Sequence, residues 1–381
     1  MQSPHARPAG RLRAFIDNSG LLVLGALLAL AWANVAHDSY ESLTHALRFV
    51  VNDIGMVFFF ALATAEVLEA TRAGGPLGSR ATAGTPLLAA AGGMIGPALM
   101  FLVLTTMRGH AELARGWAIP CATDIAFSAL VARFIFGRAH PAVPFLLMLA
   151  IADDALGLLI LAVFYPSGPL HPVEGVAWMA AAMAAAWWLR RRHVTNFWPY
   201  VIAAGSFSWM ALFRGGLHPA LALVPVLPFL PRATADEAAH ARGDGLKDFE
   251  HWWTLPVECV LFFFGLANAG VSLTSVGAGS WIVLAAMLVG KPVGISGAVA
   301  LARALRLQLS PGMTWREVLI VGASAAIGFT VAMFFAIAAF DPGPLLDQVK
   351  MGALLSFSAA LMAAALAAAL RVGRFGPVRG L

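Results

Sequence analysis

Residues 147–158 read Leu147-Met148-Leu149-Ala150-Ile151-Ala152-Asp153-Asp154-Ala155-Leu156-Gly157-Leu158. Two adjacent carboxylates stand inside an apolar run that extends from 143 to 165. A bilayer core about 30 Å thick takes roughly 20 apolar residues in helix, so this run can span and the acidic pair falls near mid-depth. A charged side chain there costs about 2.5–3.5 kcal/mol on insertion scales, and such residues mark function by default. Successive helix positions are turned by about 100°. Asp153 and Asp154 therefore cannot share one pocket face-on, but they can flank one cavity, each with its own partner. Like charges held close in a poorly hydrated cavity do not both stay ionised, so one of the pair can release and recover a proton at cellular pH. Ionised, it is a hard oxygen ligand for a small cation. The competing reading is an acidic pair neutralised by a lysine for structure alone.

Working outward, the same length criterion gives twelve apolar runs, near 18–36, 49–70, 86–106, 117–136, 143–165, 173–189, 197–213, 216–231, 252–274, 280–302, 317–340 and 348–370. The chain of 381 residues is 60% hydrophobic and 12% charged, with a mean hydropathy of +0.80. A soluble domain carries about a quarter charged residues, so a cytosolic enzyme, a disordered scaffold and a nucleic-acid-binding domain are all excluded. The first run, Leu21 to Ala36, follows Arg7, Arg11 and Arg13 and reads as a first transmembrane helix, since many similar runs follow. With the N-terminus inside, nineteen Lys and Arg residues fall on inner segments and five on outer ones (Arg48, Arg108, Arg115, Arg214 and Lys350). That bias fits the positive-inside rule and predicts both ends in the cytoplasm. The net charge of +5 then reflects topology, not a nucleic-acid partner. The two cysteines, Cys121 and Cys259, provide neither a disulfide framework nor a zinc spacing. The chain reads as one transmembrane domain, 1–381, with a cytoplasmic hinge at about 231–250.

Further polar residues lie in the apolar runs. In Ile119-Pro120-Cys121-Ala122-Thr123-Asp124-Ile125, Pro120 removes a backbone donor. Thr123 and Asp124 then stand where an N-cap belongs. The apolar helix behind them, Ile125 to Phe136, covers 12 residues, about 18 Å, too short to cross alone. A helix broken near mid-membrane, with freed carbonyls beside Thr123 and Asp124, is the expectation, against an ordinary proline kink. Irregular backbone at that depth is tolerated beside protein or a wet cavity. Lys291, in Val289-Gly290-Lys291-Pro292-Val293-Gly294, is the only basic residue deep in a run. It needs a carboxylate partner, Asp153 or Asp154, or must lose its proton. The small residues of 322–330 (Gly322-Ala323-Ser324-Ala325-Ala326-Ile327-Gly328-Phe329-Thr330) suit a second unwound span or tight packing equally. Asp53, Glu66, Glu69, Glu250 and His251 sit near run ends, where a solvated helix end is the plainer reading. His218 reads as a packing histidine, and Glu258 takes no role.

These stretches together resemble one family, the NhaA sodium/proton antiporters. The resemblance rests on Ala122-Thr123-Asp124-Ile125-Ala126-Phe127, Ile151-Ala152-Asp153-Asp154-Ala155-Leu156-Gly157 and Gly290-Lys291-Pro292-Val293-Gly294-Ile295. It extends to Phe264-Gly265-Leu266-Ala267-Asn268-Ala269-Gly270-Val271-Ser272-Leu273 and Ile327-Gly328-Phe329-Thr330. The motifs keep the family's order over nearly the whole chain. The resemblance implies an all-α polytopic membrane protein of twelve transmembrane helices, with inverted-topology repeats and two discontinuous crossing helices, spans four and eleven. It makes Asp154 the main cation ligand, a transient Na⁺ site completed by Asp124 and Thr123. Asp153 becomes the partner of Lys291, with either member carrying a proton. Glu66, Glu250 and His251 match positions near the cytoplasmic funnel tied to pH response, and Asp53 matches an outer acidic position. Two departures stand out. The chain reads Glu66-Val67-Leu68-Glu69-Ala70 where the family usually has basic residues and a second glutamate. The link between spans one and two, His37 to Arg48, is short where the family often has a β-hairpin joining protomers, so monomer and homodimer both stay open.

The activity implied is electrogenic, pH-regulated exchange of Na⁺ or Li⁺ for H⁺ across a bacterial inner membrane, with no enzymatic step and no cofactor. The alternative from the same architecture is a sodium-coupled symporter, which would need further polar groups in the second half of the chain. An intramembrane aspartyl hydrolase would leave Lys291 unexplained.

Overall fold

A computed structural model describes residues 19–72, 74–78, 80–232, 244–309 and 312–376. The basic residues Arg7, Arg11 and Arg13, the chain ends and most of the hinge at 231–250 lie outside the described residues; its last part, from Gly245, is already helical. Every regular element among the described residues is helical. Among the described residues, six helices are long and apolar enough to cross a membrane, seven if one bent pair counts as a single span. The chain is therefore a polytopic all-α membrane protein.

In chain order, α1 is Gly20–Val35 and α2 is His37–Ala70. The helix α3 is Arg80–Met107, α4 is Ile125–Phe136 and α5 is Ala142–Phe164. Next come α6, Pro172–Arg191, and α7, Gly205–Gly215. The second half holds α8, Gly245–Asn268, and α9, Ala278–Ala304. The bent pair is α10, Trp315–Ala325, with α11, Phe329–Ala339, turned by 51° at the break. The last element is α12, Pro344–Leu370. Most of these helices are apolar all round, as lipid-facing or core helices must be.

Two stretches differ from the sequence-based outline. Span two, read from 49, is helical from His37, because nothing between Ala36 and Ala70 breaks it; one wider turn at Val50–Gly55 absorbs Gly55. The link where a hairpin was at issue is thus a helix. It is pinned by buried Tyr40, whose hydroxyl donates to the Leu266 carbonyl (2.9 Å) and accepts from the Gly270 amide (3.1 Å). The run at 216–231 contains only short turns, Pro219–Leu221 and Leu227–Phe229. Four prolines (219, 225, 228 and 231) remove the amides a helix needs there. This irregular backbone is mostly buried, as it must be at membrane depth.

One helix contact sets the position of the centre. Gly92 and Gly96 of α3 face Gly290 and Gly294 of α9, and a Cβ on Gly96 would lie 2.7 Å from the Gly294 Cα. Small residues spaced by four let two backbones approach closely. That approach carries Lys291 past Gly93, where an added Cβ would stand 3.9 Å from the Lys291 Cε.

Candidate functional site: a carboxylate cluster at two chain breaks

The fourth run is interrupted where the proline predicts. A single turn, Ile119–Cys121, ends in extended backbone at Ala122 and Asp124, and α4 starts at Ile125. The second interruption separates α10 from α11. The two breaks touch: the Asp124 amide donates to the Ile327 carbonyl (2.8 Å) and the Thr123 hydroxyl to the Ala325 carbonyl (3.3 Å). Gly328 is required at this contact, since a Cβ there would collide with the Ala122 carbonyl.

Each break leaves backbone groups without helical partners, and a charged side chain meets each set. At the start of α11, Asp124 accepts the amides of Phe329 (2.7 Å) and Thr330 (2.9 Å) on one oxygen and the Thr330 hydroxyl (2.7 Å) on the other. A carboxylate at a helix N-terminus is favoured by both the free amides and the helix dipole. At the end of the 119–121 turn, the Lys291 ammonium donates to the carbonyls of Cys121 and Ala122 (2.6 Å for the latter) and to Asp153 Oδ2 (3.2 Å). Lys291 is fully enclosed and Asp153 is 3% exposed, and the second oxygen of Asp153 has no hydrogen-bond partner.

Asp154 differs from both. It makes no hydrogen bond among the described residues and lines a cavity of about 480 Å³ together with Thr123, Asp124 and Thr330. Its charged neighbours are the carboxylates of Asp153, Glu66 and Asp124, with Lys291 as the one cation. The cavity also carries Glu66, Glu69 and Glu250 on its walls. On the far side of Asp154 the space is apolar, bounded by Phe60, Leu158, Leu161 and Phe334, and amounts to about 10 Å³, about the least that holds one water. Phe334 seals it, with ring centroids 4.9 Å from Phe60 and 4.7 Å from His218. Beyond that barrier a second cavity, about 540 Å³, is lined by Asp53, His171, Glu174 and Arg214.

The structure thus gathers Thr123, Asp124, Asp153, Asp154 and Lys291 into one centre and puts Glu66 and Glu250 on the walls leading to it. It does not bring His251 or Asp53 there. His251 follows Glu250 on α8 and is turned away, into an exposed hollow with Trp198, Asp248 and Trp252. Thr330 was not among the expected ligands. Its signal was the Gly328-Phe329-Thr330 restart of a helix, the mirror of Thr123-Asp124 at the other break.

Fold and centre together define a class, a polytopic membrane protein with a polar, charge-bearing site enclosed at mid-bundle. The model of the family described as Na⁺/H⁺ antiporter 1 matches residues 12–370. The Na⁺/H⁺ antiporter NhaA of Geobacter metallireducens is 45% identical, over 97% of this chain and 99% of its own length. The NhaA of Desulfitobacterium hafniense is 46% identical, over 91% of this chain and 92% of its own. The chain belongs to this family. The fold is shared with a solved structure of the sodium proton antiporter MjNhaP1 from Methanocaldococcus jannaschii, at a TM-score of 0.54 and 14% identity, covering 92% of this chain and 90% of that one.

Proposed function

We propose that the chain exports Na⁺ or Li⁺ from the bacterial cytoplasm in electrogenic exchange for H⁺, with Asp154 as the main cation ligand and Asp124 and Thr123 completing the transient site. The observation that carries this is Asp154 itself. It is an intramembrane carboxylate with no protein partner, at the blind end of a polar cavity, beside carboxylates that already have partners. Such a group binds a proton or an alkali cation but not both, and that competition couples the two fluxes without covalent chemistry. The fixed roles fall to its neighbours. Asp124 holds the start of α11, and Lys291 holds the end of the 119–121 turn while neutralising Asp153. A second proton can come from the Asp153–Lys291 pair, whichever member carries it, which makes more than one H⁺ per cation possible.

The same reading takes the Glu66 end of the bundle as cytoplasmic, following the Lys and Arg bias, with both termini inside. It takes twelve passes through the inner membrane in inverted repeats, the eighth irregular and the fourth and eleventh discontinuous and crossing at the centre. The unit is a single transporter domain hinged at about 231–250, as a monomer or a homodimer in the lipid bilayer. Relatives compared above are named antiporters, which supports exchange over sodium-coupled symport. Inverted vesicles that build a pH gradient test the reading. Na⁺ and Li⁺, added in turn, collapse the gradient and K⁺ does not. Because protons compete for Asp154, the half-saturating Na⁺ concentration falls as pH rises, by up to about tenfold per pH unit while one proton is displaced. Solute uptake driven by Na⁺, or a half-saturating concentration blind to pH, would overturn it.

A further inference from the structure

Besides Asp124 and Asp154, the cavity carries four carboxylates on its walls, Glu66, Glu69, Glu250 and Glu258, and one basic side chain, Arg133. The charges are sorted by element. Glu66 and Glu69 belong to α2, Glu250 and Glu258 to α8, and Arg133 to α4. Arg133 lies nine positions after Asp124, about 13.5 Å along the helix toward the mouth. Its side chain is exposed and forms no hydrogen bond or ion pair among the described residues. Facing it, Glu69 and Glu250 each have one carboxylate oxygen that is enclosed by protein and accepts no hydrogen bond. Opposite charges are therefore held apart across an open space of about 480 Å³, although each would be better satisfied by the other.

The packing separates the wall that carries Arg133 from the walls that carry the carboxylates. The helix α4 is the short half of a broken span. It packs against α5, α10 and α12 and is tied at its first residue to α11 through Asp124. The cavity lies between it and the walls formed by α2 and α8. Closing the mouth means bringing α4 toward those walls, which leaves Glu66, Glu69 and Glu250 with less water between them. Like charges oppose that approach. A guanidinium opposes them in turn, because it stays charged and its five donors fork between two carboxylates, which a lysine cannot match.

We propose that Arg133 is the counter-charge on which the mouth of the cavity shuts, pairing with Glu69 and Glu250 when Asp154 is turned to the other side of the membrane. Arg133 is a positioning residue for the closed mouth; it does not touch the transported ion. The inference rests on the antiport reading, since only alternating access requires the mouth to close.

The experiment uses the full chain in membrane vesicles, with Cys259→Ser to remove the exposed thiol and Thr254→Cys as a reporter on the cavity wall. A membrane-impermeant maleimide applied from the mouth side measures how often the cavity is open, and Na⁺-dependent H⁺ exchange is measured in parallel. Arg133→Gln raises the labelling rate about fivefold and lowers turnover about tenfold, with half-saturating Na⁺ on the mouth side unchanged within about threefold, as expected for a charge pair worth about one factor of ten. Arg133→Lys falls between. Arg133→Glu is the slowest variant, and adding Glu69→Arg to it restores labelling and turnover to near the parent values. Labelling that ignores Arg133→Gln, or a charge swap no better than Arg133→Glu alone, overturns the proposal. A parent protein that exchanges no Na⁺ for H⁺ sinks the antiport reading separately; an active parent whose labelling ignores position 133 sinks only the role of Arg133.

Discussion

The two sides of Asp154 are built from opposite materials. Toward Glu66 and Glu250 the walls carry carboxylates, threonine hydroxyls and Arg133 among apolar side chains, around about 480 Å³ of space; toward His218 they are aromatic and aliphatic side chains around about 10 Å³. The difference teaches how one site is kept from seeing both solutions at once. On the proposed reading, hydrated ions would reach Asp154 along the polar wall and stop at a wall with nothing to replace their water. The barrier needs no charge of its own, because failing to solvate an ion is enough. The largest expected effect tests the meeting point. Asp154→Asn keeps the shape and removes the charge on which the proposed competition depends, so Na⁺-dependent exchange in inverted vesicles should fall by at least about 100-fold, with the protein still present in the membrane. Asp153→Asn/Asp154→Asn at full activity would remove the basis of the comparison.

The next effect tests the apolar side alone. Phe334 is nearly fully buried and packs against rings from three parts of the chain, edge-on to Phe60, tilted to His218 and stacked on Phe264. Phe334→Ala leaves a void that the neighbours fill only in part, at a stability cost of about 3–5 kcal/mol. A void beside Asp154 large enough for water turns the barrier into a wire. Passive H⁺ leak in vesicles without Na⁺ should rise by about tenfold, each 1.4 kcal/mol of lost barrier being one factor of ten. An unchanged leak would place the barrier elsewhere.

How much of this was legible beforehand follows from what each residue must do. Asp153, Asp154 and Lys291 announce themselves because charge in an apolar run is costly wherever its partner lies. Thr123 and Asp124 were legible through Pro120, a local signal with a local cause. The meeting of the two breaks was not legible, because the Asp124 amide bonds to a carbonyl 203 positions away, on Ile327, and no periodicity spans that gap. The fit of Gly92 and Gly96 on Gly290 and Gly294 escaped for the same reason: each pair is ordinary alone, and only their contact puts Lys291 in place. The irregular run at 216–231 was hidden differently. Its composition is apolar enough for a helix, and the four prolines that forbid one were outvoted by hydropathy.

Thr330 sharpens the comparison on the polar side. Its hydroxyl is one of three donors on Asp124. Thr330→Val keeps the volume and the backbone amide but removes that donor. A hydrogen bond to a charged group is worth about 1.5–3 kcal/mol; with two amides left to compensate, the half-saturating Na⁺ concentration rises by about tenfold or less while maximal exchange survives. A loss as complete as that of Asp154→Asn would mean that Thr330 itself ligands the ion.

The smallest effect separates neighbours on one helix. Glu250 and His251 are adjacent, so their side chains leave α8 about 100° apart. Glu250 faces the cavity, and His251 faces an exposed hollow beside Trp198. A side chain in that hollow is separated from Asp154 by solvent and by the helix itself. His251→Ala should therefore shift the half-saturating Na⁺ concentration, and its change with pH, by no more than about twofold, the range of an exposed substitution away from the site. Glu250→Gln, which alters the cavity wall, should shift both further. The reverse order would mean that the pH response is read at the surface of α8 and conveyed through the helix, not along the cavity.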